Sequence, residues 1–223
     1  MNTTKEAQAP DHNTAAVILE SAEELFGRFG FAKVTMEEIA GRAGLGKATL
    51  YYYYSTKEEL FQAVVYAQYR QFEERITTTL ESDRSVQEKI LGYVDERFEF
   101  FAWLLKLQIT DFNSIPRNRP LNRQMFGKFS AQELSWLVKL FREGKGAGRF
   151  EIESEEAIAE AFLHVMSGLR ARFLRTVELP LEQSQRKVLR KELLFVAEIF
   201  LRGISSRTMG QAEGRVRKST KNK

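Results

Sequence analysis

Apolar residues in the first part of the chain recur at helical spacing. Ile18, Ala22, Leu25, Phe26 and Phe29 stand at i, i+4, i+7, i+8 and i+11, one face of an amphipathic helix, and Gly30 follows where a helix-ending glycine belongs. A strand pattern of period 2 fits the same residues less well. Thr35-Met-Glu-Glu38 and Ser55-Thr-Lys-Glu58 both have capping-box form, a hydroxyl residue followed three positions later by Glu, so each predicts a helix start. The first opens a helix of about two turns through Ala43, closed by Gly44-Leu45-Gly46. The second opens a long helix with Leu60, Phe61, Val64 and Val65 on one face. The same spacing predicts helices over roughly Val86 to Phe112, Gln124 to Glu143, Ser154 to Val177 and Leu181 to Ser205. Loops are expected at 81–85, around Pro116 and Pro120, at 144–148 and at Pro180. No strand run and no internal repeat emerges, so the fold class is all-α.

Residues 30–57 compress a helix, a glycine turn, a short helix and a new cap into under 30 positions, the layout of a helix-turn-helix. On a 100° wheel Leu50 and Tyr54 share one side of the segment 47–54. Ala48 and Tyr52 lie opposite, flanked by Lys47, Thr49 and Tyr51. Leu50 can anchor the helix while the other face offers a cation, a hydroxyl, a methyl group and phenols. Those groups suit a major groove: Lys reaches guanine O6 and N7, Thr and Ala meet a thymine methyl, and tyrosine hydroxyls donate to phosphates. Lys57 and the helix start at Thr35 add candidate backbone contacts. The competing reading, an aromatic core patch, uses one or two tyrosines and leaves the remaining phases unexplained.

Three blocks carry a family resemblance. Ala22-x-x-Leu25-Phe26-x-x-x-Gly30-Phe31 is followed by Thr35-Met-Glu-Glu-Ile39-Ala40. Ala43-Gly44-Leu45-Gly46-Lys47-Ala48-Thr49-Leu50-Tyr51-Tyr52-Tyr53-Tyr54 then runs into Ser55-x-Lys57-Glu58-x-Leu60. Over about residues 14 to 62 this resembles, in order and without gaps, the DNA-binding domain of the TetR family of bacterial transcription regulators. The resemblance implies an Ω-shaped all-helical homodimer with a three-helix DNA-binding head and a ligand-binding body. It also implies base contacts from Lys47, Ala48, Thr49 and Tyr51, and phosphate contacts from Thr35, Tyr52, Tyr53 and Lys57. The sequence departs from the family pattern at Gly46, where Ser is frequent, and at Tyr53 and Tyr54, where His and Phe are frequent.

Beyond residue 63 the resemblance fades. Phe98, Phe101, Trp103 and Phe112, with Phe129, Trp136 and Met166, supply aromatic and soft apolar volume for a ligand cavity. A close-packed core is the alternative for any one of them. Ala157, Ala161, Phe162, Val165, Met166, Leu169 and Phe173 form one late stripe, and Leu189, Leu193, Val196, Ala197, Phe200, Leu201 and Ile204 another. The family resemblance implies that these last two long helices pair with the same two of a second subunit. The expected organisation is an N-terminal arm (1–13), a DNA-binding head (14–60), a ligand-binding and dimerisation body (61–205) and a basic tail (206–223).

Composition removes several alternatives. Cysteine is absent from the 223 residues, which excludes disulfides, thiolate metal sites and a thiol nucleophile. The two histidines are His12 and His164, and Glu160 one turn before His164 makes an incomplete metal pair. Gly144-Lys-Gly-Ala-Gly148 lacks the preceding strand and following Lys-Ser/Thr of a phosphate loop. No enzyme, metal or cofactor is expected. The first ten residues lack signal-peptide character and no run of about 18 apolar residues occurs, so the chain is expected in the cytoplasm without a membrane partner.

Charge changes the picture least where it first suggests DNA. The net charge is +4. Arg207, Arg215, Arg217, Lys218, Lys221 and Lys223 stand in the tail against Glu213 alone, which leaves the rest of the chain near neutrality. From 14 to 57, Arg28, Lys33, Arg42, Lys47 and Lys57 are matched by Glu20, Glu23, Glu24, Glu37 and Glu38. The expected function is a repressor that binds a palindromic double-stranded operator as a homodimer and is released by a small apolar or aromatic effector. The alternatives are a DNA-binding protein without effector, and a helical small-molecule-binding protein or enzyme.

Overall fold

The computed structural model describes residues 12–107, 120–177 and 181–206. Among them lie eight helices: α1 (His12–Phe29), α2 (Met36–Arg42), α3 (Lys47–Tyr53), α4 (Lys57–Glu81), α5 (Val86–Lys106), α6 (Pro120–Gly146), α7 (Glu155–Leu174) and α8 (Gln183–Ile204). The described residues contain no strand, and an antiparallel bridge joins Phe150 to Ser205. The all-α expectation is met. The arm and tail fall outside the described residues except for 12, 13 and 206, and so does Phe112.

The chain forms two compact units, one holding residues 12–72 and 100–107, the other 73–99 and 120–206. Both divisions fall inside a helix, so α4 and α5 each contribute to both units. In the first unit Ile18, Ala22 and Phe26 of α1 are buried. The Phe26 ring meets Phe31 at 5.6 Å and Phe61 at 5.7 Å between centroids. Each such ring contributes about 1.5–3 kcal/mol by leaving water. Where α4 and α5 enter this unit, Phe72 stacks on Phe100 at 5.5 Å and Phe100 on Trp103 at 5.9 Å.

In the second unit Phe141 and Phe162 are fully buried, 6.0 Å apart, with Phe150 and Phe200 packed against them. α6 runs past the expected stop at Glu143, to Gly146. Gly144 lies inside the helix, where a Cβ would run into the Phe150 ring, and the chain reverses at Gly148, whose φ is 65°. The helix also starts earlier than expected, at Pro120, which needs no N–H partner in a first turn.

The start of α4 is displaced by one residue from the expected cap. Thr56 Oγ1 accepts from the Glu59 N–H at 3.1 Å, and the Ser55 N–H donates to Glu59 Oε2 at 3.0 Å, so Thr56 rather than Ser55 closes the first turn. The α8 stripe is also corrected. Leu189, Leu193, Ala197 and Leu201 are buried within the chain itself. The apolar side chains that α8 leaves exposed are Val188, Phe195 and Ile199, with Phe195 61% exposed. On α7, Phe162 and Met166 point inward while Val165 is exposed.

A polar cluster lies within the second unit. Glu133 of α6 is buried, and its Oε2 accepts from the Tyr93 hydroxyl and from Arg97 Nε, each at 2.7 Å. Burial, reinforced by the Glu133 charge, raises the Tyr93 pKa well above the usual range. Burial and the neighbouring Arg97 lower that of Arg170 to about 10.

Candidate nucleic-acid interface

The short helices α2 and α3 are set by local chemistry at each end. Thr35 caps α2: its hydroxyl oxygen accepts from the Glu38 N–H at 3.2 Å, and Glu38 Oε2 accepts from the Thr35 N–H at 2.8 Å. This is the expected capping box. At the other end Gly44 adopts φ 68°, the Leu45 N–H reaches Ala40 O at 2.9 Å, and the Gly44 N–H reaches Gly41 O at 3.2 Å. That pair of bonds is a Schellman motif, and the left-handed residue at its centre favours glycine. The chain then enters α3 through Gly46, which has no side chain to cap it.

Leu50 is completely buried and anchors α3, against a head core that includes Ile39 and Ala40. Lys47, Ala48, Thr49, Tyr51 and Tyr52 are exposed, Tyr52 at 61%. Tyr53 is half-buried, its ring edge-on to that of Tyr52 at 5.6 Å. Tyr54 is half-buried, and burial raises the pKa of its hydroxyl. The face read from the helical wheel is therefore presented as one surface.

Three expected contact residues have partners inside the protein. The Thr35 hydroxyl donates to Glu38 Oε2 at 2.9 Å, within the capping box. Lys57 turns back toward the connection between α1 and α2, where Nζ donates to Phe31 O at 2.9 Å and Val34 O at 2.8 Å and lies 4.6 Å from the centre of the Phe31 ring. Its ammonium is thus a strut between the start of α4 and that turn. The first residue of α3, Lys47, forms an ion pair with Glu37 of α2 and lies 5.7 Å from the Tyr51 ring centre. The carboxyl of Glu37 is held below its usual range by the hydrogen bond from Lys47, and the Lys47 ammonium is raised by the same contact.

Glu37 was not singled out from the sequence, and neither was Glu23, which accepts from the Trp103 indole N–H at 2.7 Å. Both contacts join residues from different helices and leave no periodic trace. The expected pocket residues divide between the units: Phe101 and Trp103 belong to the first, and Phe98, Phe129, Trp136 and Met166 to the second. All are buried except Trp103, which is half-buried. Among the described residues no group of three or more His, Asp or Glu could hold a metal, and no helix is long and apolar enough to cross a membrane.

Comparison with known proteins places this head. Residues 18–64 match the family model of bacterial regulatory proteins, tetR family. The HTH-type transcriptional regulator YfiR of Bacillus subtilis is 26% identical over 159 residues, covering 69% of this chain and 77% of YfiR. The crystal structure of a transcriptional regulator from Cytophaga hutchinsonii aligns with TM-score 0.77 at 29% identity, over 86% of this chain and 98% of that one. A regulator of Saccharomonospora viridis, solved in complex with choline, shares the fold with TM-score 0.72 at 18% identity, over 88% of this chain and all of that one. These relatives are transcriptional regulators rather than enzymes. With the matched residues lying on the helix-turn-helix whose outward face is described above, residues 18–64 form a DNA-binding domain of the TetR-family type, and the chain as a whole resembles transcriptional regulators that carry it.

Proposed function

We propose that the protein is a cytoplasmic repressor that binds a palindromic operator as a homodimer and leaves it when a small, largely apolar molecule binds the body. The observation that carries the reading is the geometry of α3. Leu50 is sealed inside while Lys47, Ala48, Thr49, Tyr51 and Tyr52 stand together outside. Lys47, Ala48, Thr49 and Tyr51 meet base edges, and Tyr52 and Tyr53 meet phosphates. Thr35 contributes by holding the start of α2, and Lys57 acts mainly by fixing the turn that precedes it.

Dimerisation is supported by the apolar side chains that α7 and α8 leave exposed, Val165, Val188, Phe195 and Ile199. A second copy offers the same face, and a two-fold axis then places two α3 helices on successive major grooves, which makes the operator palindromic. An effector is supported by the choline complex of the structural relative and by the aromatic content of the body. Release follows if the effector binds more tightly to a conformation whose two heads no longer match the groove spacing.

Selection of duplexes from a random library, repeated with a metabolite mixture, tests this. A palindrome should be enriched and then lost when the effector is present. Failure to enrich any palindrome overturns the reading.

A further inference from the structure

Lys47 is the single cation of α3, and in the structure its ammonium is held by Glu37, a residue outside the contact set that the family resemblance implies. Both side chains are more than half exposed, so the pair stands at the surface beside the α3 face. We infer that Glu37 is a specificity-determining residue: by holding Lys47 it makes that lysine a reader of guanine and suppresses its use as a general phosphate clamp. This rests on the reading that α3 meets the major groove.

A lysine ammonium has three N–H donors and no acceptor. One donor on Glu37 leaves two, which is the number that guanine accepts at O6 and N7. Guanine can therefore be bound without breaking the ion pair. A phosphate cannot replace guanine at the same position on equal terms, because its charge would approach the Glu37 carboxylate as well as the ammonium. If Lys47 leaves Glu37 to reach a phosphate, one ion pair is exchanged for another and an unpartnered carboxylate is left facing the DNA.

The charge balance of the head makes this matter. From 14 to 60 five cations face seven carboxylates, and Arg42 is likewise paired, with Glu24 at 2.5 Å. Nonspecific affinity is governed by the number of phosphates neutralised, and Glu37 keeps one cation out of that number. An acid in this position lowers binding to random sequence more than binding to the operator, and so widens the gap between them.

The test uses the full chain, the operator obtained by selection and a scrambled duplex of the same length, with anisotropy measured across a salt series. Wild type is compared with Glu37→Gln, Lys47→Ala and the double variant, after equal melting temperatures confirm folding. Glu37→Gln should tighten the scrambled duplex by about two- to fivefold, the range an exposed ion pair allows, while changing operator affinity less. Its log K against log salt slope on the scrambled duplex should steepen by about 0.9, one added phosphate contact. Replacing the guanine read by Lys47 should also cost Glu37→Gln less than it costs wild type.

In the Lys47→Ala background the effect of Glu37→Gln on the ratio of the two affinities should vanish. Equal effects on both duplexes, or an undiminished effect without Lys47, would overturn the inference. A Lys47→Ala protein with unchanged sequence preference would instead overturn the assignment of α3 as the reading helix.

Discussion

The Trp103 indole N–H donates to Glu23 Oε1 at 2.7 Å, so a side chain near the end of α5 is fastened to α1, the first helix of the DNA-binding head. Gln68 of α4 donates to the same carboxylate at 3.2 Å. Three helices of the first unit therefore converge on one acid. Trp103→Phe keeps an aromatic ring against Phe100 but removes the donor. We expect a loss of about 1.5–3 kcal/mol in urea unfolding, the usual value of a hydrogen bond to a charged group. An unchanged midpoint would show that the contact is not structural.

Lys57→Met retains the stem and removes the ammonium that joins Phe31 O and Val34 O. If Lys57 is a strut, thermal stability falls and DNA binding weakens for all sequences alike, with a destabilisation of about 2 kcal/mol. Undiminished stability combined with weaker binding and a flatter salt dependence would return Lys57 to the phosphate contacts.

Gly46→Ser should stabilise α3 by about 0.3 kcal/mol. The backbone there (φ −68°, ψ 146°) suits a serine cap, and a Cβ would meet Thr49 Oγ1 alone, at 3.8 Å. Chemical denaturation resolves the difference in midpoint, and a destabilised variant would contradict the open space at this position.

Alkaline stability follows from Tyr93 and Arg170 with opposite signs. Tyrosine in the unfolded chain ionises near pH ~10, whereas burial keeps Tyr93 protonated well above that range. Above that pH the unfolded state sheds a proton that the folded state keeps, and stability falls as pH rises. Arg170 loses its proton at about 10 when folded, well below its ordinary range in the unfolded chain, so above that pH it adds stability as pH rises. Tyr93→Phe removes the first effect and leaves the second. Its stability deficit relative to wild type should shrink in urea titrations from pH 9 to 11, and a constant deficit would count against the shifted hydroxyl.

Phe195→Asp together with Ile199→Asp places charges on the exposed face of α8 without touching its buried stripe. Sedimentation should show monomers of native helical content, with operator affinity lost through the missing second head. A dimer that survives both changes would place the subunit contact elsewhere.

The helix-turn-helix was legible because its determinants are local. The 3.6-residue spacing of Ile18, Ala22 and Phe26, the three-residue reach of Thr35 to Glu38 and the glycine at position 44 each act within a turn or two of chain. The family resemblance rests on the same residues. The one-residue error at the α4 cap has a local cause too: Ser55 and Thr56 are adjacent hydroxyl residues, each three positions before a Glu, and pattern alone does not choose between them.

What the sequence by itself determined is the all-α class, the place of α3 and which of its faces turns outward, because helix periodicity and Leu50 suffice for that. Only the tertiary structure decided which apolar stripe of α8 faces inward, since both Leu189-Leu193-Ala197 and Val188-Phe195-Ile199 satisfy the same period. It also decided that Glu37 holds Lys47, that Val34 accepts from Lys57 at a separation of 23 residues and that Glu133 accepts from Tyr93 at 40. Partners of this kind are chosen by three-dimensional proximity and by the cost of burying an unsatisfied polar group.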